Sequence, residues 1–137
     1  MTTVQIAIRN RRYAAALRDL LVADGNHCVY MMDRPSAAIG GIVVVDDTIV
    51  DRLRGSQEFD FSRFIVFIHR LNFDADRLFA AGVRYVIHVD SPPETGRLIV
   101  VAAERRFREE AGKPIAVAEI FNAADQLFLQ ALRIDAR

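Results

Sequence analysis

The sequence predicts a single α/β domain: a five-stranded parallel sheet with helices on both faces, over residues 1–112, followed by one more helix over 113–137. Three observations predict it. Short β-branched runs alternate with stretches of helical periodicity, the pattern of repeated βα units. The run Gly41-Ile42-Val43-Val44-Val45 is apolar on both faces, as a central parallel strand must be. Helix-stop and helix-start residues fall between the runs rather than inside them.

Val4-Gln5-Ile6-Ala7-Ile8 is the first strand. Asn10 caps the helix after it, in which Tyr13, Leu17, Leu20 and Leu21 recur at helical spacing and Gly25 takes the left-handed terminal position. His27-Cys28-Val29-Tyr30-Met31-Met32 is the second strand, with Cys28 as a buried strand residue. Residues 33–40 hold Pro35, Gly40 and mostly small side chains, room for at most one helical turn before the third strand. Asp46-Asp47-Thr48 closes that strand and caps a short helix carrying Ile49, Val50 and Leu53. Phe64–Ile68 is the fourth strand, and Asn72 or Asp74 starts the helix that ends at Gly82. Tyr85–Val89 is the fifth strand. Ser91-Pro92-Pro93-Glu94 then reads as a capping box with Pro92 at the first helical position.

In the last segment Val117, Ile120, Phe121, Ala124, Leu127, Phe128 and Ala131 form an apolar stripe at i, i+3, i+4, i+7 spacing. Such a stripe lies on the domain's own flank or forms an interface. The five-stranded unit already has its helices, so the interface expected is a homodimer.

Composition narrows the function classes. The 137 residues carry 18 basic and 18 acidic side chains, and 52% are hydrophobic. A packed core is available, and there is no basic excess of the kind that holds a protein on nucleic acid. No apolar run reaches the roughly 18–20 residues that span a bilayer. No secretory signal is visible, and one cysteine cannot make an internal disulfide, so a cytoplasmic location is expected. G-x-G-x-x-G, G-x-x-x-x-G-K-[ST] and G-x-S-x-G are all absent.

The order and spacing of about four fifths of the chain resemble the receiver domain of bacterial response regulators, a CheY-like, flavodoxin-like fold with strand order 2-1-3-4-5. Val43-Val44-Val45-Asp46 resembles the third strand ending in the phosphoacceptor. Ala80-Ala81-Gly82-Val83-Arg84-Tyr85-Val86-Ile87 looks like the alanine-glycine turn into an aromatic-bearing fifth strand. Asp90-Ser91-Pro92-Pro93-Glu94 resembles the start of the last helix in regulators of the transcription-factor type.

The resemblance implies four features: two acids after the first strand for magnesium, an aspartate after the third, a hydroxyl on the fourth and a lysine on the fifth. A phosphoryl group in flight has negative oxygens that a metal and a lysine must neutralise. Here the acidic positions fall at Arg9 and Asn10. The fourth strand ends Phe67-Ile68-His69, and His88 or Val89 stands where lysine belongs. The only lysine is Lys113, beyond every strand. The chain also lacks the full second helix of that family. The resemblance therefore implies a pseudo-receiver with a dismantled site made of Arg9, Asn10, Asp46, Asp47, His69 and His88.

Three readings of Asp46 and Asp47 stand: one is a helix cap and the other solvated, Asp46 is a phosphoacceptor, or Asp46 pairs with the Arg9 side chain in place of metal. His69 and His88 close neighbouring strands and with Asp46 offer a transition-metal set; hydrogen-bonded strand-end histidines are the plainer account, and no metal, cofactor or catalytic residue is expected. Tyr85 matches the relay aromatic of the family and doubles as core. The leading expectation is a phosphorylation-independent module that binds an unknown signalling protein through Tyr85 and its flanking helices and dimerises through Val117, Phe121, Ala124, Leu127 and Phe128, with no nucleic-acid or membrane partner. The alternatives are a small-ligand or enzymatic site holding Asn10, Asp46, His69 and His88, and a phosphorylatable regulator using Asp46.

Overall fold

The computed structural model describes residues 1–112 apart from Arg54, Leu71, Asn72 and Val89. The expected helix over 113–137, with Val117, Phe121, Ala124, Leu127 and Phe128, lies outside the described residues. The chain order is β1 (Thr2–Ala7), α1 (Arg11–Ala23), β2 (His27–Met31), β3 (Ile42–Asp46), α2 (Asp47–Leu53), a 3-10 turn (Phe61–Arg63), β4 (Phe64–Ile68), α3 (Ala75–Ala80), β5 (Tyr85–His88) and α4 (Pro93–Gly112). All pairings are parallel and the strands lie in the order β2-β1-β3-β4-β5. This is the flavodoxin-like arrangement, whose order reverses between β1 and β3.

Side chains alternate across a strand, so an uninterrupted apolar run feeds two cores. On one face Val4, Ile6, Ile42, Val44, Ile65 and Phe67 pack with Leu17 and Leu21 of α1 and Ile99 and Val100 of α4. On the other, Val43, Val45, Phe64 and Val66 pack with Ile49, Val50 and Leu53 of α2 and Leu78 of α3. Burying one such leucine or phenylalanine stabilises the fold by about 1.5–3 kcal/mol. Gly96 sets the approach of α4: a Cβ there would lie 3.1 Å from Phe67 Cζ and 3.3 Å from Leu17 Cδ1.

The caps explain the element boundaries. Asn10 Oδ1 accepts from the Tyr13 amide, and Asp74 accepts from the Asp76 amide, so Asp74 starts α3. Gly25 and Gly82 end their helices at φ +76° and +106°. Ser91 departs from expectation. Its Oγ has no hydrogen-bond partner, and α4 begins at Pro93 without the capping box. The Ser91 carbonyl instead accepts from Tyr13 Oη at 2.8 Å, tying the start of α4 to the first turn of α1.

Between β2 and β3 there is no helix, and one polar side chain takes over its covering role. Gln5, fully buried in β1, donates from Nε2 to the Ser36 and Ile39 carbonyls and accepts from the Ser36 amide at 2.7 Å. A buried amide needs all of its groups satisfied, and these contacts hold the 33–41 connection flat on the sheet. Gly41 permits the return into β3, because at φ +91° any Cβ would sit 2.1 Å from the Thr3 carbonyl oxygen.

Candidate functional site at the carboxyl edge

Parallel α/β sheets bind ligands at the carboxyl ends of their strands, on either side of the order reversal. Here that place is the junction of the ends of β1 and β3. Asp46 is the last residue of β3 and is 1% exposed. Its Oδ1 accepts from the Ile49 amide and its Oδ2 from the Arg9 amide, both at 2.8 Å. The first bond is an N-terminal cap on α2, and the second fastens the end of β1 to the end of β3. Both oxygens are thereby committed to main-chain donors.

The expected side-chain ion pair of Arg9 with Asp46 is corrected: Arg9 meets Asp46 through its main-chain amide. Its guanidinium reaches outward, with Nη1 3.4 Å from Thr48 Oγ1. The reason is local geometry. The amide of Arg9, the second residue after β1, points across to β3, and Asp46 is short enough to take it. Asn10 is likewise committed, as the cap of α1.

Asp47 is completely buried rather than solvated. Its Oδ2 accepts from the amides of His69 and Arg70 at 3.0 and 2.9 Å and from Arg70 Nε at 3.3 Å. The same guanidinium also grips Asp51, one turn further along α2. Burial by itself would raise the Asp47 carboxyl, but the Arg70 and His69 amides and the Arg70 guanidinium outweigh it and hold it below the usual aspartate range. Arg70 is held above the usual arginine range, first by its bond to Asp51. Asp47 thus latches the end of β4 to the start of α2. Its Oδ1 has no hydrogen-bond partner, and His69 Nδ1 stands 3.8 Å from it.

His88 ends β5 with an exposed side chain and does not join this cluster. His69 turns to Asp47, not to Asp46, so the histidines and Asp46 do not converge. Among the described residues no three His, Cys, Asp or Glu side chains form a metal-holding group. The donors also fail to fit the magnesium that the receiver resemblance implies. Arg9 and Asn10 follow β1, and the Asp46 oxygens are taken by amides, whereas a hard dication needs free carboxylate oxygens.

Tyr85 is 4% exposed and packs in the α1–α4 core, so its ring is interior and does not itself present a contact surface. Arg106 of α4 lies over it, with the guanidinium carbon 5.9 Å from the ring centroid. Cys28 is half-buried on the edge strand β2.

Sequence reasoning missed a polar cluster at the opposite, amino edge of the sheet. His27 at the start of β2 places Nε2 2.7 Å from Glu104 Oε2 and Nδ1 3.2 Å from the Leu21 carbonyl. Beside it, Arg97 Nε bonds both oxygens of Asp24, at 3.0 and 2.8 Å. That hydrogen bond, with the positive charge behind it, holds the Asp24 carboxyl below its ordinary value. The available signal was on α4, where Arg97, Val101, Glu104, Arg105 and Arg108 share one helical stripe.

No protein-family model matches the chain, and no curated protein matches it. Among the described residues no helix is long and apolar enough to cross a membrane. The fold and the site define the chain as a flavodoxin-like α/β domain whose carboxyl-edge acids are bonded to the chain itself.

Proposed function

We propose that this chain is a receiver-like signalling module that acts by binding another protein and does not use aspartyl phosphorylation. One observation carries the reading: the carboxylate at the phosphoacceptor position of the receiver resemblance, Asp46, is 1% exposed with both oxygens bonded to amides. Attack on a phosphoryl donor would need one oxygen freed, which strips either the cap of α2 or the β1–β3 tie. The remaining parts of that chemistry, the two acids, the hydroxyl and the strand lysine, are absent from the matching positions.

Function then rests on surface recognition. Helix α3, β5 and α4 supply the recognition surface; Phe79 of α3 and Leu98 of α4 are each about half exposed, at 49% and 56%. The apolar stripe of Phe121 and Phe128 supplies a homodimer contact. Two measurements test the reading. A melting scan with beryllofluoride and magnesium should show no stabilisation, whereas a clear upward shift would mean that the acids still form a working acceptor site. Light scattering should find a dimer that Phe121→Glu with Phe128→Glu converts to a folded monomer; a dimer surviving both changes removes that segment as the interface.

A further inference from the structure

A groove of about 560 Å³ opens at the amino edge of the sheet, between the α1–β2 turn and α4, remote from the Asp46 site. Its acidic, basic and imidazole side chains are Asp24, His27, Arg97, Glu104, Arg105 and Arg108. By formal charge three arginines stand against two carboxylates, and the two signs lie at different depths. The Glu104 side chain is 11% exposed, beneath an Arg108 that is 69% exposed; the Asp24 side chain is 19% exposed, beneath an Arg97 at 37%. The acids are also occupied, Asp24 by Arg97 Nε and Glu104 by His27. The His27 side chain, 2% exposed, belongs to the floor.

This layering presents guanidinium groups to solvent over a buried acidic floor. Asp24 bonds Arg97 only through Nε, which fixes the plane of the guanidinium and turns it into a preset fork. Arg105 is exposed, and Arg108 approaches Glu104 only to 3.8 Å. Arg105 and Arg108 are one helical turn apart, and Arg97 lies two turns, about 12 Å along the axis, before Arg105 on the same stripe; all three line the one groove. Planar forks match phosphate oxygens two at a time, and a groove of this volume is of small-molecule size.

We propose that the groove binds a small molecule carrying a phosphoryl or diphosphoryl group, held by Arg97, Arg105 and Arg108. The site lies at the edge opposite Asp46 and stands whether or not the chain signals through a protein partner.

The test is calorimetric titration of the full chain with pyrophosphate and with a nucleoside diphosphate, at ionic strength fixed by sodium chloride. The expected result is saturable one-site binding, weakened at least tenfold by Arg105→Ala and by Arg97→Ala. Arg77→Ala on α3, an exposed arginine elsewhere, should change nothing. Arg105 is exposed, so its variant remains informative even if Arg97→Ala loosens the Asp24 contact. Tighter binding of the nucleoside diphosphate would assign the site to phosphorylated small molecules, and equal binding to the free inorganic anion. Absence of saturable binding to both probes, or an unchanged affinity in Arg105→Ala, would overturn the proposal.

Discussion

The Arg9 amide donates to Asp46 Oδ2 at 2.8 Å while the Ile49 amide donates to Oδ1 at the same distance, so one carboxylate joins β1, β3 and α2. An acid at the end of a buried strand is chemically ambiguous. It can be a nucleophile or a structural acceptor, and which one depends on what its oxygens face. Here they face amides that have few other acceptors available, and releasing them would leave buried donors unpaired.

Replacing Asp46 therefore affects stability. Asp46→Ala should lower the unfolding free energy by about 3 kcal/mol, combining a lost cap with an unpaired interior amide. Asp46→Asn should cost about 2 kcal/mol, because its NH2 must turn toward one of the two donors. Urea unfolding reads both; a change within about 0.5 kcal/mol, the ordinary surface range, would contradict the structural role.

The Asp47–Arg70 latch predicts a pH dependence. The Asp47 carboxyl is held below its ordinary value in the fold, so the unfolded chain binds its proton first as pH falls. Its contribution is fully present above the unfolded pKa of about 4 and is lost as pH drops through the lower folded value. Asp47→Asn should thus be less stable than the parent at pH 7, with the two curves converging toward pH 2. Parallel curves over that range would show that Asp47 does not titrate with folding.

Gln5 predicts the behaviour of the connection that replaces a helix. Gln5→Leu keeps the volume but removes the three bonds to Ser36 and Ile39. Limited proteolysis should then cut within 33–41 several-fold faster, with the unfolding free energy lowered by about 2–3 kcal/mol. An unchanged cleavage rate would mean that the connection is held by its own packing.

These contacts mark the boundary of what sequence reading reached. The five strands were legible because each run is short, rich in β-formers and set between helix signals, and their order followed from the receiver resemblance. Asn10 was legible as a cap, and Asp74 as one of two candidates beside Asn72, because a cap acts within three residues. Long-range polar pairing was not. His27 and Glu104 are 77 residues apart, Asp24 and Arg97 are 73 apart, and Gln5 reaches Ser36 over 31. Ser91 shows the same limit from the other side: the local cap motif is not used, and the contact its turn does make is with Tyr13, 78 residues away, through the Ser91 carbonyl. At the site, the sequence named Arg9 and Asp46 together but suggested the guanidinium, since a main-chain amide leaves no mark on residue identity. Arg70, the partner that fixes Asp47, went unnoticed beside His69.

The most direct test of the central claim is intact-mass spectrometry after incubation with acetyl phosphate and magnesium. The account predicts a single unmodified species, because each Asp46 oxygen already holds a main-chain amide and, among the described residues, no lysine or acid pair stands beside it. A species heavier by one phosphoryl group, mapped to Asp46 and absent in Asp46→Asn, would contradict it and make the chain a working phosphorylation switch.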